Sequence, residues 1–214
     1  QADQVRKDIE SQIPPVIFGD SVVLGARDSL KAILGKISID AAVSRQPEVI
    51  ADRIRLRREE RRLGPEVIIH MGTNGIVQEE DLKPILDELR DRNRVVVVNV
   101  RVPRVWMKPT NKMIESLVAQ YPNVRLADWS AVSKGNKGYF APDGVHLTKT
   151  GADVFGKTHS RRVSENGKVR RCACRKFHSE NDRAIGTPLD PSTYDYEAAA
   201  SFNANASRLF AVTM

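Results

Sequence analysis

The run Arg94-Val95-Val96-Val97-Val98-Asn99-Val100 constrains the fold more than any other stretch of this chain. β-Branched residues on both faces of one extended segment need cover on both sides, as in a parallel sheet sandwiched between helices. Shorter runs of the same kind recur at Val16-Ile17-Phe18, from Ile37 to Val43, at Val67-Ile68-Ile69 and from Val124 to Trp129. Between them lie amphipathic segments with helical spacing. Val22 to Leu34 stops near Gly35. Pro47 to Leu63 carries its proline at a permitted first-turn position, with Gly64-Pro65 as its stop. Glu79 to Arg90 and Lys108 to Gln120 follow, and a loop from Lys134 to Pro142 precedes a last short helix from Leu147. Five strand–helix alternations predict an α/β fold: a three-layer α/β/α sandwich around a five-stranded parallel, flavodoxin-like sheet. Ligands of such sheets bind beyond the carboxyl ends of the strands, so the residues just after each strand matter most.

Three segments are expected in the 214 residues. Residues 1–14 are polar and read as a linker or fraying helix, 15–158 as the folded domain, and 159–214 as a tail poor in core residues. In the stretch 157–214, Leu, Ile, Val and Phe number 9 of 58, too few to bury a core of their own. That tail is expected to be a peripheral wrap, disordered, or foreign to the domain. Its Cys172 and Cys174 read as free thiols and are too few for a four-ligand zinc site; no metal site and no cofactor are expected. The chain opens on Gln1 without a basic-then-apolar leader, so it reads as an excised or processed piece. No run approaches the roughly 18 apolar residues of a spanning helix.

Lys and Arg total 34 against 27 Asp and Glu, a formal charge of +7. An excess of that size can mark a nucleic-acid binder. Here, however, the cations mix with acids, as in the stretch Arg53 to Arg62, and read as a solvated helix face. No aromatic interleaving accompanies them, and no nucleic-acid partner is expected.

Three strand ends carry polar groups. After the first strand, Gly19-Asp20-Ser21 leads straight into a helix. A serine there lies among unpaired N–H donors at the positive end of the helix, suited to a nucleophile that generates an oxyanion; it reads equally as a simple cap. After the third strand, His70-Met71-Gly72-Thr73-Asn74-Gly75 exposes a carboxamide able to donate to a negative oxygen, or makes an ordinary Asn-Gly turn. His70 reads as a structural strand residue. In Pro142-Asp143-Gly144-Val145-His146, an acid and an imidazole three apart share a face if the segment is helical. The carboxylate can then hold Nδ1–H and leave Nε2 as a base; the alternative is a capping Asp and a surface His. Their common place at the ligand-binding edge favours a joint role.

At these residues the sequence resembles the SGNH hydrolase family. Gly19-Asp20-Ser21, Gly72-x-Asn74 and Asp143-x-x-His146 match its first, third and fifth blocks over about two-thirds of the chain. The stretches Ile39 to Gln46 and Val102 to Trp106 bring it nearer one branch, the extracytoplasmic domains of membrane acyltransferases that O-acetylate peptidoglycan and other glycans. The resemblance implies Ser21 as nucleophile, His146 as base and acid, and Asp143 as its orienting group. It implies an oxyanion hole from the N–H groups of Ser21 and Ser44 and the Asn74 side chain. The family usually has glycine where this chain has Ser44, for which a left-handed backbone is harder. Arg45, Gln46, Arg104 and Trp106 are expected to line the substrate side.

What the resemblance implies is an O-acyltransferase that passes an acetyl group from an acyl donor, through a Ser21 ester, to a glycan acceptor. Activity should rise as His146 loses its proton. The full-length protein would act outside the cytoplasm, tethered by a membrane acyltransferase domain. Alternatives are a secreted carbohydrate esterase using the same site and a basic module that docks on envelope polymers.

Overall fold

The computed structural model describes Val5 and residues 9–159. The expectations for the rest of the tail, Cys172 and Cys174 included, lie outside the described residues.

Five strands build one sheet: β1 (Val16–Gly19), β2 (Ser38–Ala41), β3 (Glu66–His70), β4 (Arg94–Val98) and β5 (Val124–Ala127). All pairings are parallel, in the order β2-β1-β3-β4-β5. This is the predicted flavodoxin-like arrangement, whose chain reverses direction across the sheet between β1 and β3. The registers Phe18↔Ile69 and His70↔Val98 leave the carboxyl ends of β1 and β3 side by side.

The valine run explains the layers. Val95 and Val97 belong to one buried cluster, with Ile50, Ile54, Leu82, Ile85, Ile114 and Leu117. Val96 and Val98 belong to the other, with Val23, Leu30, Trp129 and Phe155. Successive strand side chains point to opposite faces, so four consecutive valines serve two cores. All four are at most 5% exposed, and burying each such side chain contributes roughly 1.5–3 kcal/mol. The first face is covered by α3 (Pro47–Glu59), α4 (Glu79–Glu88) and α5 (Met107–Val118); the second by α1 (Ser21–Gly25), α2 (Arg27–Leu34), α6 (Trp129–Val132) and α7 (Lys149–His159).

Several boundaries depart from expectation. The segment read as one helix from Val22 to Leu34 is two, broken at Ala26, where ψ is 3°. The charged helix stops at Glu59 rather than Leu63, and Arg61 turns the chain with φ 54°. Trp129 begins α6 instead of ending β5, because Asp128 caps that helix by accepting from Ala131 N. Ahead of β1, residues 9–11 are helical and Glu10 pairs with Arg92 at 3.3 Å. Among the described residues no helix is long and apolar enough to cross a membrane.

Candidate active site

Gly19, Asp20 and Ser21 make the turn from β1 into α1. Helix α1 folds back so closely that a Cβ on Gly19 would lie 2.3 Å from Val23 Cγ2. Asp20 caps the helix, its Oδ1 accepting from Val22 N at 2.9 Å. Ser21, the first helical residue, is thereby held at the sheet edge with its side chain outward.

Asp20 is 1% exposed, and His70 Nδ1 lies 3.5 Å from its Oδ1. Burial opposes its ionisation, but His70 and the Val22 N–H outweigh burial and keep the carboxyl below its ordinary value. His70 is buried as the last residue of β3 and meets Phe155 edge-on. It sits beneath the Ser21 turn rather than in the cleft.

The turn carrying His146 comes from the other end of the chain. It is not the helical turn expected for an Asp-x-x-His pair. Phe140 and Leu147 form an antiparallel bridge, Ala141 N donates to His146 O at 2.8 Å, and Gly144 takes φ 69°. Asp143 organises the loop: Oδ1 accepts from Val145 N at 2.9 Å and His146 N at 3.0 Å. Its other oxygen, Oδ2, is 2.6 Å from His146 Nδ1. His146 Nε2 in turn stands 3.1 Å from Ser21 Oγ. Desolvation works against the Asp143 carboxylate, but bonds from His146 and the two backbone N–H groups prevail and lower its pKa. Side-chain exposures of 49% for His146 and 43% for Asp143 make the relay open to solvent.

Asn74 and Ser44 stand on neighbouring loops. Asn74 Nδ2 donates to Arg45 O at 3.4 Å, joining the loop after β3 to the loop after β2. Ser44 takes φ 55°, so serine adopts here the backbone expected to be hard for it. Gln46 holds that conformation, its Nε2 donating to Ser44 O at 3.1 Å.

The four residues expected on the substrate side have different fates. Arg45 does not offer its charge to the cleft. Its Nη1 donates to Asp40 O at 2.6 Å and Oδ1 at 2.7 Å, and its side chain is only 9% exposed. Asp40 is the cause: a buried carboxylate on β2 that also accepts from Arg53 and Arg57. Gln46 is occupied with Ser44. Trp106 is a brace, its Nε1 donating to Gly72 O at 3.0 Å, where Gly72 takes φ 105°. Arg104 is exposed, with Nη1 to Pro103 O at 3.3 Å. Sequence reasoning missed the bracing role of Trp106, whose one signal is an indole donor just after a strand end. It also missed Asp40, a lone acid inside an apolar run.

Chemically, the arrangement is a hydroxyl, an imidazole and a carboxylate in hydrogen-bonded series, beside loops rich in N–H donors. The peptidoglycan O-acetyltransferase OatA of Listeria monocytogenes is 41% identical over 143 residues, 65% of this chain and 22% of that protein. This chain thus spans less than a quarter of the length of the curated relatives it matches. The C-terminal catalytic domain of Streptococcus pneumoniae OatA, solved with a methylsulfonyl adduct, superposes with a TM-score of 0.63 at 22% identity, covering 68% of this chain and 89% of that one. A Clostridium thermocellum family 3 carbohydrate esterase superposes with a TM-score of 0.57 at 17% identity, covering 68% and 92%. Residues 140–214 match the family described as replication initiator protein, pSAM2. Over this domain the chain is thus similar in sequence to peptidoglycan O-acetyltransferases, and it shares its fold with an O-acetyltransferase catalytic domain and with a carbohydrate esterase.

Proposed function

We propose that this domain is a serine O-acetyltransferase acting on a cell-envelope glycan. The observation that carries the reading is the series Asp143 Oδ2–His146 Nδ1–His146 Nε2–Ser21 Oγ, with steps of 2.6 and 3.1 Å. His146 Nε2 takes the Ser21 proton as Oγ attacks the donor's acyl carbonyl. The resulting oxyanion accepts from the N–H groups of Ser21 and Ser44 and from Asn74 Nδ2. As the intermediate collapses, His146 returns the proton to the leaving group and the acyl chain remains as a Ser21 ester. A glycan hydroxyl then enters and gives its proton to His146 as its oxygen attacks the ester. Collapse of the second tetrahedral intermediate breaks the Ser21 ester bond, returns that proton to Ser21 Oγ and leaves the acyl group on the sugar. Asp143 holds Nδ1–H throughout and stabilises the imidazolium.

The acetyl group and the glycan acceptor follow from relatives of which the match spans less than a quarter; the placement outside the cytoplasm, tethered by a membrane acyltransferase domain, is part of the same proposal. The match of residues 140–214 to another family supports reading the tail beyond 159 as foreign to the domain. One observation favours an esterase as second reading: the His146 and Asp143 side chains are about half exposed, so the relay is open to water.

The test has two steps. A sulfonyl fluoride should modify Ser21, located by peptide mass spectrometry, and Ser21→Ala should abolish labelling. With an activated acetyl ester as donor and chitooligosaccharide or peptidoglycan fragments as acceptor, acetyl should appear on the sugar. Labelling of Ser21 with hydrolysis alone at saturating acceptor would replace the transferase by the esterase.

A further inference from the structure

We infer that the groove beside the His146 turn is an acceptor subsite for a glycan carrying an oxyanion substituent; this rests on the acyl-transfer reading. The groove holds about 910 Å³, room for more than one sugar ring. One wall is the loop after β4, including Arg101, Pro103 and Arg104; the other runs from Lys137 through Phe140 to Gly144. Pro103 faces Gly144 across the groove, close enough that a Cβ on that glycine would lie 3.4 Å from Pro103 Cγ, and Gly144 lies between Asp143 and His146 in sequence. A ligand in the groove therefore touches the turn that carries the base.

Its lining is apolar at Val105, Met107 and Phe140, and Val105 is 92% exposed. Apolar flats beside a few convergent polar groups suit the faces and hydroxyls of a saccharide. Three cations line it, Arg101, Arg104 and Lys137, and no acid does. Among the described residues none of the three makes an ion pair. The arginines of α3 behave differently: Arg53, Arg57 and Arg58 are each neutralised, by Asp40 or by Asp91 and Glu88. Three like charges around one groove repel each other unless an anion enters. A carboxylate or phosphate on the acceptor relieves that repulsion and sets the sugar's register, so that one hydroxyl faces His146 Nε2.

Binding is measured by calorimetry on Ser21→Ala protein, which leaves the groove intact and keeps the ligand unmodified. The probes are an amino-sugar oligosaccharide with carboxylates, the same compound with its carboxylates amidated, and a phosphorylated counterpart. The expected result is about tenfold tighter binding of an anionic probe than of the amide. That margin should shrink between low and high salt. The stronger of the two anionic probes identifies the substituent. Replacing Arg101, Arg104 and Lys137 together by Ala should bring the ratio near one, with circular dichroism confirming the fold. Equal binding of acid and amide, or a ratio that survives the triple replacement, overturns the inference. Because this reads affinity alone, it stands apart from the transfer assay: acetyl release without transfer refutes the acyltransferase reading, whatever the binding ratio.

Discussion

His146 Nε2 lies 3.1 Å from Ser21 Oγ across 125 residues of chain. The distance is set by two independent anchors: the Asp20 cap that holds the serine at the start of α1, and the Asp143 carboxylate that holds the imidazole by its far nitrogen and by its own backbone N–H.

Removal of the hydroxyl in Ser21→Ala should cut acyl transfer at least about 10³-fold and leave thermal unfolding unchanged within a degree or two, because the Asp20 cap stays in place. Asp143→Asn should cost about 10⁴-fold in kcat, since a carboxamide cannot fix the imidazole tautomer. Stopped-flow measurement of acetyl-enzyme formation reads both; a mutant retaining a tenth of wild-type rate would remove that residue from the mechanism.

Asn74→Ala removes one donor to the oxyanion and should lower kcat about 10²–10³-fold with a smaller change in KM. Ser44→Gly keeps the backbone N–H and relieves the positive φ. It should leave kcat near wild type and change stability by no more than about 1 kcal/mol. Steady-state kinetics on the two mutants separate a side-chain donor from a backbone donor.

Asp40→Asn should destabilise the fold by about 3 kcal/mol, because it strips the counter-charge from three arginines, two of them largely buried. As Arg45 also receives the Asn74 bond, kcat should fall as well. Urea denaturation measures the first effect and turnover below the melting transition the second.

Burial pushes His159 down to about 4. Its Nδ1 bonds Phe155 O at 2.5 Å, and Arg94 and His70 add repulsion to any charged form. The unfolded chain takes up this proton near pH 6.5, the folded one only near 4. Stability is therefore full above about 6.5 and is lost as pH falls toward 4. The loss is about 3 kcal/mol. His159→Leu should flatten that slope in guanidinium denaturation curves taken from pH 4 to 7.5.

Much of this was legible in the sequence, for physical reasons. A valine run has one economical solution, cover on both faces, and its alternation with amphipathic segments predicts the sheet. The Gly19-Asp20-Ser21 turn and the Asp143–His146 pair are local, so short-range stereochemistry suffices to suspect them. Arg45 misled because its partner, Asp40, is five residues back, a spacing that belongs to neither helix nor strand. Arg53 and Arg57 reach the same carboxylate only after α3 packs on the sheet. The Asp143–His146 spacing also suits a helical turn, but the left-handed Gly144 closes it as a loop instead. The groove was invisible, since its walls lie some forty residues apart along the chain.

All five strands are spelled out by Ala127, yet the imidazole arrives on a bridge that closes only with Leu147. During synthesis the serine therefore emerges long before its base, and a ribosome-bound chain carries an inert alcohol until its last helix is made. The same order means that a cut anywhere between residues 128 and 140 leaves the strands intact but separates the proton acceptor from the group it serves.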